Sequence, residues 1–119
     1  MNIFAKIMTL IVAIEHFGFL ILEMFFWDHP IGRGAFNLTA ELSGQTTAMA
    51  ANQGLYNGFL AAGLIWALIA KKRDVRIFFL GCIIIAGIFG AATVKPSIVI
   101  IQALPALIAL ALVLMSRRA

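Results

Sequence analysis

The chain has 119 residues, of which 63% are hydrophobic and only 12% charged, and its mean hydropathy is +1.05. A soluble domain carries about 25% charged residues, so this composition excludes most soluble enzymes, disordered chains and disulfide scaffolds. The net charge of +4 does not indicate nucleic-acid binding, because no Lys/Arg-rich helix face with interleaved aromatic residues is present. We expect an all-α integral membrane protein whose partner is the lipid bilayer. At about 20 residues per span, residues 1–119 form a single transmembrane domain, a bundle of four helices.

The first predicted span covers about residues 3–27. It is interrupted by three ionisable residues, Glu15, His16 and Glu23. The segment is too long and too charged at its centre for a signal peptide, and it ends in an aromatic cluster before Pro30, which is typical of a membrane–water interface. Residues 28–48 are polar and contain several glycines. We expect them to form a partly helical external loop, in which Thr39 caps a helix that continues into the next span.

The other predicted spans cover about residues 50–70, 77–94 and 97–115, and Pro96 suits the first turn of the last one. The turn Lys71–Arg76 is the strongest topological marker, because cytoplasmic loops of membrane proteins are enriched in basic residues. If it is cytoplasmic, both termini are cytoplasmic too. The basic residues on the inner side are then Lys6, Lys71, Lys72, Arg73, Arg76, Arg117 and Arg118, which leaves Arg33 and Lys95 outside.

Several polar residues fall within the predicted spans. An ionisable residue at a helix centre costs about 2.5–3.5 kcal/mol on insertion scales and therefore usually marks a site. At about 100° per residue, His16 and Glu23 share one stripe of the first span and Glu15 lies on the adjacent stripe. The sequence predicts a polar site in the outer half of the bundle, to which all four helices contribute. Its predicted members are Glu15 and His16 as catalytic residues, and Glu23, Asn52, Gln53, Tyr56, Asn57, Thr93 and Gln102 as ligand-binding residues. Taken singly, Thr93 and Gln102 are more typical of interhelical hydrogen bonds.

Pairs of small residues predict close helix packing, and one proline predicts a carbonyl group that lacks its usual helical partner. Gly54 with Gly58, and Gly87 with Ala91, have the four-residue spacing that lets helix backbones approach closely, so we expect packing contacts there. Pro105 cannot donate a hydrogen bond to the carbonyl of Ile101, and in lipid that carbonyl needs another partner.

The polar and small residues named above belong to short sequence strings that are spread over nearly the whole chain. The strings are Glu15-His16, Glu23-Met24 with Trp27, NQGLYNGFLAAGL from Asn52, Leu80-Gly81-Cys82, GIFGAATV from Gly87, and Gln102 with Leu104-Pro105-Ala106. In them the sequence resembles a small bacterial family of four-helix membrane proteins, domain of unknown function 1304 (DUF1304). The resemblance implies four spans in the bacterial inner membrane and suggests that the polar residues are the family's signature. It implies no activity and no substrate.

Three functions remain open from the sequence. One is binding of a small lipophilic molecule, which Glu15 and His16 could transform by acid–base chemistry such as isomerisation or epoxide opening. Another is proton-coupled export of lipophilic compounds through Glu15, since small multidrug exporters also have four helices and a glutamate in the first span. The third is a structural or accessory membrane subunit.

No metal or other cofactor is predicted. Glu15 and His16 diverge by about 100° on a straight helix, and Glu23 lies more than about 10 Å from His16 along the axis. Monomer and homodimer both fit the glycine-containing faces.

Overall fold

The computed structural model describes residues 2–116, and every regular element among them is helical. The elements are α1 (Ile3–Phe25), α2 (Pro30–Phe36), α3 (Ala40–Gln45), α4 (Thr47–Ile69), α5 (Arg73–Thr93), a π-helical turn (Val99–Ala103) and α6 (Leu104–Met115). The predicted all-α fold is confirmed. The first three predicted spans each match one long helix, with ends shifted by up to four residues.

Within residues 2–116, two helices are long and apolar enough to cross a membrane, Ile3–Phe25 and Arg73–Thr93. The apolar stretch Val99–Met115 is shorter. Helix α4 has 23 residues, as many as α1, but its first half carries polar residues that lower its hydropathy. The four-span bundle and the cytoplasmic termini therefore stay predictions, and the predicted charges at Arg117 and Arg118 lie outside the described residues.

The predicted external loop contains two short helices with well-formed caps. The side chain of His29 accepts a hydrogen bond from the backbone N–H of Ile31, at the start of α2. Thr39 caps α3 by accepting from the N–H of Leu42 at 3.1 Å, as predicted. The helix that Thr39 starts does not continue directly into α4, because the backbone at Thr46 (φ −109°, ψ 11°) leaves the helical geometry.

The fourth predicted span differs from a single helix in its first turns. The N–H of Leu104 donates to the carbonyl of Val99, five residues earlier, which defines the π-helical turn. Pro105 then falls within the first two positions of α6, where a helix does not need the missing N–H. The proline therefore explains why the regular helix restarts at Leu104, and Pro96 lies in the turn that precedes the π-helical segment.

The chain divides into two compact units, which are described separately. One consists of Ile14–Ala61, and the other of the described parts of Met1–Ala13 and Ala62–Ala119. The prediction of a single transmembrane domain is not tested by this division.

The larger unit, which contains α5 and α6, buries several alanines beside larger apolar side chains such as Leu80 and Ile83. Ala103, Ala106 and Ala109 are buried there. A Cβ atom built on Gly87 would lie 2.8 Å from both the Cβ and the backbone nitrogen of Ala103. The predicted packing contact at Gly87 is therefore present.

Candidate functional site

A buried hydrogen bond joins α1 to α4 in the unit Ile14–Ala61. The Nδ2 atom of Asn57 donates to Oε1 of Glu23 at 2.5 Å, and each residue is only 7% exposed. A buried carboxyl group is costly unless it is hydrogen-bonded, so Asn57 stabilises the position of Glu23 inside this unit. The structure thus brings together two of the predicted ligand-binding residues.

Two glycines of α4 allow this contact. A Cβ atom on Gly54 would lie 2.8 Å from Cγ of Met24 and 3.2 Å from the carbonyl oxygen of Leu20, and one on Gly58 would collide with the side chain of Leu20. The backbones therefore approach closely, as the spacing of the glycines predicts. Without that approach the short amide of Asn57 would not reach the carboxyl of Glu23.

Glu15 and His16 lie further along α1 and have different surroundings. His16 is fully buried, and its ring packs edge-on against Phe19 with 5.0 Å between the ring centroids. Its Nδ1 atom lies 3.9 Å from Oε1 of Glu15, which is too long for a hydrogen bond. That Oε1 atom is buried and has no hydrogen-bond partner among the described residues, although the Glu15 side chain as a whole is 24% exposed.

Glu15 lies in the wall of a groove of about 440 Å³. The other lining residues are Gly18, Phe19, Ile21, Leu22, Phe26 and Ile31. All belong to α1 and the residues just after it except Ile31, which comes from α2. Gly18 has no side chain that would fill the groove, and a Cβ atom built there would meet nothing within 4 Å. Glu15 is the only acidic residue among those that line this groove, and the surface that lines the groove is apolar.

The remaining polar residues at the start of α4 do not join Asn57 in the interior. Asn52, Gln53 and Tyr56 are exposed in this chain. Asn52 lines a second groove, of about 490 Å³, together with Met24. The ring of Tyr56 lies 5.9 Å from that of Phe59.

Thr93 and Gln102 belong to the other compact unit. Thr93 is exposed, and its hydroxyl donates to the carbonyl of Phe89 at 2.7 Å, which is a local bond within its own helix. Gln102 is half-buried in the π-helical turn. Their participation in a common site with Glu23 stays a prediction.

A polar cluster in the segment 27–46 was missed by the sequence reasoning. Oδ1 of Asp28 accepts hydrogen bonds from Nη2 of Arg33 at 2.8 Å and from Oγ of Ser43 at 2.7 Å. These two bonds hold the pKa of Asp28 below its usual range. Next to them, Nε1 of Trp27 donates to Oγ1 of Thr46 at 2.9 Å. The five residues tie the end of α1 to α2 and α3, and nothing in their spacing indicates that pairing.

No group of three or more His, Cys, Asp or Glu residues within 2–116 is placed to hold a metal ion. The predicted site residues in α1 and α4 carry carboxyl, imidazole and amide groups. They can accept and donate hydrogen bonds and exchange protons.

Comparisons with known proteins agree with the resemblance described above. A family model described as "Protein of unknown function (DUF1304)" matches residues 10–114. The chain is also similar to the "Uncharacterized protein YpaA" of Lactococcus lactis subsp. lactis (strain IL1403), with 31% identity over 114 residues, which cover 92% of this chain and 96% of that protein. No solved structure matches the chain. The matched region includes every predicted site residue.

Proposed function

The chain belongs to the DUF1304 family, and on that premise we propose that it is a membrane protein that binds a small lipophilic molecule and transforms it by acid–base chemistry at Glu15 and His16. Its four spans lie in the bacterial inner membrane with both termini in the cytoplasm, as the basic turn Lys71–Arg76 favours.

The observation that carries this proposal is the buried Oε1 atom of Glu15. It lacks a hydrogen-bond partner among the described residues, and apolar atoms of the same side chain line a groove. Leaving a buried acceptor unsatisfied costs about 1–3 kcal/mol. A ligand with a hydrogen-bond donor would satisfy this acceptor, so binding such a ligand would remove that cost.

The neighbouring imidazole supports a role in proton transfer. An imidazole can both donate and accept a hydrogen bond, and the Nδ1 atom of His16 is 3.9 Å from the Glu15 oxygen. A general acid–base pair must lie within hydrogen-bond reach of the same reacting group, and such distances often shorten when substrate binds. Isomerisation or epoxide opening needs this kind of pair.

The pair Glu23–Asn57 has a different part in the proposal. Its two side chains already bond each other, so the pair fixes α1 against α4. It can orient the ligand's polar end only when that bond opens. Asn52, Gln53 and Tyr56 are proposed to contact the ligand from the exposed side of α4.

The test is native mass spectrometry of the protein released from lipid nanodiscs, with extraction of bound small molecules. Glu15→Met removes the carboxyl group, and Glu41→Met makes the same change at an exposed residue of α3. We expect a bound molecule in the wild type and in Glu41→Met, reduced at least tenfold in Glu15→Met. Equal retention in both variants, or an empty wild type, would overturn the proposal.

A transport assay separates this function from export. Proteoliposomes with an imposed proton gradient are loaded with the molecule that the extraction identifies. Turnover without net movement across the bilayer supports the proposed chemistry, whereas gradient-driven accumulation that depends on Glu15 would assign the exporter function instead. An empty protein that is purified together with a larger membrane protein would point to an accessory subunit.

A further inference from the structure

Three chain segments meet at one end of the larger unit. The backbone N–H of Asn2, just before α1, donates to Oγ of Ser116, just after α6, at 3.3 Å. Nη2 of Arg73, the first residue of α5, donates to the carbonyl oxygen of Val113 in the last turn of α6 at 3.5 Å. The start of α1, the start of α5 and the end of α6 therefore lie together.

This end of the unit is strongly basic. Lys6 lies in the first turn of α1, and the basic turn lies between α4 and α5. Among the described residues of the larger unit, Asp74 is the only acidic one, so the unit's own carboxyl groups cannot balance the positive charge. We call the accessible cations the basic end, which consists of Lys6, Lys71, Lys72 and Arg73. The three lysines are exposed and the arginine is half-buried.

Arg73 has N–H donors that the described residues do not use. Its guanidinium group has five N–H donors. One of them makes the long contact with Val113, and Nε has no hydrogen-bond partner among the described residues. Because the residue is only half-buried, an acceptor outside the protein can use the donors that remain.

Lys71 has a backbone conformation that suits glycine. Its φ is 55°, and the N–H of Lys72 donates to the carbonyl of Ala67 at 2.9 Å, the pattern that closes the C-terminus of a helix. Glycine adopts this left-handed conformation at the lowest conformational cost. Lysine therefore costs stability at this position, and what it adds relative to glycine is an exposed cation.

Exposed aromatic rings lie close to the basic end. Trp66 is in the last turn of α4 and Phe78 in the second turn of α5, and both are exposed. Phe78 is five residues from Arg73, about 7.5 Å along the helix axis, which is close to the thickness of one headgroup layer. Tryptophan is enriched at the membrane–water interface. In a membrane, these rings would place the basic end at the level of the lipid phosphates.

From this arrangement we propose that the basic end binds the phosphate group of an anionic phospholipid, to which Lys71, Lys72 and Arg73 donate hydrogen bonds. Anionic headgroups attract basic residues beside a membrane span, and a guanidinium group binds phosphate through two parallel N–H bonds. The inference goes beyond the proposed function, because it uses neither Glu15 nor His16.

The experiment is native mass spectrometry of the protein released from nanodiscs that contain equal amounts of phosphatidylglycerol and phosphatidylcholine with the same acyl chains. The ratio of the two bound lipids is measured. We expect phosphatidylglycerol to be enriched on the wild type, and the enrichment to fall about fivefold in Lys72→Gln. Lys95→Gln removes an exposed lysine beyond the other end of α5 and should keep the wild-type ratio. No enrichment on the wild type, or equal ratios in the two variants, would overturn the inference.

Lys71→Gly separates lipid binding from folding. The substitution removes a cation and relieves the backbone, so we expect thermal stability in neutral detergent to rise while the phosphatidylglycerol enrichment falls about fivefold. Asn37→Gly is the matched control, because it places glycine at another left-handed residue without a change of charge, and it should keep the enrichment. If Lys71→Gly keeps the wild-type enrichment, the inference is wrong.

Inorganic phosphate separates a lipid headgroup from a soluble anion, since both offer the same acceptor oxygens. Millimolar phosphate is added to the protein in detergent with phosphatidylglycerol bound. We expect the lipid to stay bound, because its acyl chains also contact the apolar helices. Displacement of the lipid would assign the basic end to a soluble anion and overturn the inference.

Discussion

The Nδ2 atom of Asn57 donates a hydrogen bond to Oε1 of Glu23, and this bond links α4 to α1 across 34 residues of sequence. Both groups are nearly inaccessible to water, so each provides the hydrogen bond that water would otherwise make to the other. The relationship makes Asn57 a determinant of stability as well as a candidate site residue.

The first prediction concerns this bond. Asn57→Ala leaves the Glu23 carboxyl buried without its amide partner, and we expect the free energy of unfolding to fall by about 1–3 kcal/mol. Asn52→Ala removes an exposed amide from the same helix, so a change within about 0.5 kcal/mol is expected there. Unfolding in mixed micelles of increasing SDS content measures both.

A double-mutant cycle with Glu23→Gln tests whether the effect is direct. Contacting residues show a coupling energy, which for polar pairs in membranes is about 0.6–2 kcal/mol. A coupling near zero would mean that Asn57 acts through packing alone.

Two glycines on α5 should respond in opposite directions to the same substitution. Gly87→Ala places a methyl group 2.8 Å from the backbone nitrogen of Ala103, and since the backbone cannot yield, we expect a loss of about 1–3 kcal/mol in stability. Gly81→Ala meets nothing within 4 Å and should be neutral or stabilising by up to about 1 kcal/mol, because alanine has the higher helix propensity. Thermal unfolding in detergent compares the two, and equal effects would contradict the close approach at Gly87.

The segment 27–46, which connects α1 to α4, should open in acid. The hydrogen bonds from Arg33 and Ser43 hold the pKa of Asp28 below its usual value of 3.8. Because the pKa is lower in the folded than in the unfolded state, the stabilisation is fully present above about pH 4 and is lost as the pH falls through the folded value. Trp27 fluorescence reports the change, since its indole bonds to Thr46, and Trp66→Phe removes the other tryptophan.

In that background, Asp28→Asn should abolish the acid transition because the asparagine has no carboxyl group to protonate. Glu41→Gln alters an exposed carboxyl group of the same segment and should leave the transition in place. A transition that persists in Asp28→Asn would assign it to another group.

The proposed orientation is tested by thiol labelling. Cys82 is first replaced by serine, and a cysteine is then introduced by Glu41→Cys in the external segment or by Asp74→Cys in the basic turn. We expect a membrane-impermeant maleimide to label the first variant in spheroplasts and the second only after the membrane is permeabilised. The reverse pattern would contradict cytoplasmic termini.

Much of the local structure follows from the sequence alone. Long apolar runs predicted the long helices, the hydroxyl of Thr39 predicted a helix cap, and the spacing of Gly54 and Gly58 predicted close contact between helices. The residue strings also identified the family. These features depend on neighbours within one or two helical turns, which a sequence displays directly.

The site required the tertiary structure. The sequence predicts that Gln53, Tyr56 and Asn57 belong to one site, yet only Asn57 is buried. Gly54 and Gly58 allow a narrow stripe of α4 to pack against α1, and the neighbouring side chains stay outside this contact. Likewise, nothing in the sequence indicates that Asp28 pairs with Ser43, or that a π-helical turn precedes Pro105. A sequence determines which residues share the surface of one helix, but which stripe meets another helix depends on the shapes of both surfaces, and those exist only after they pack.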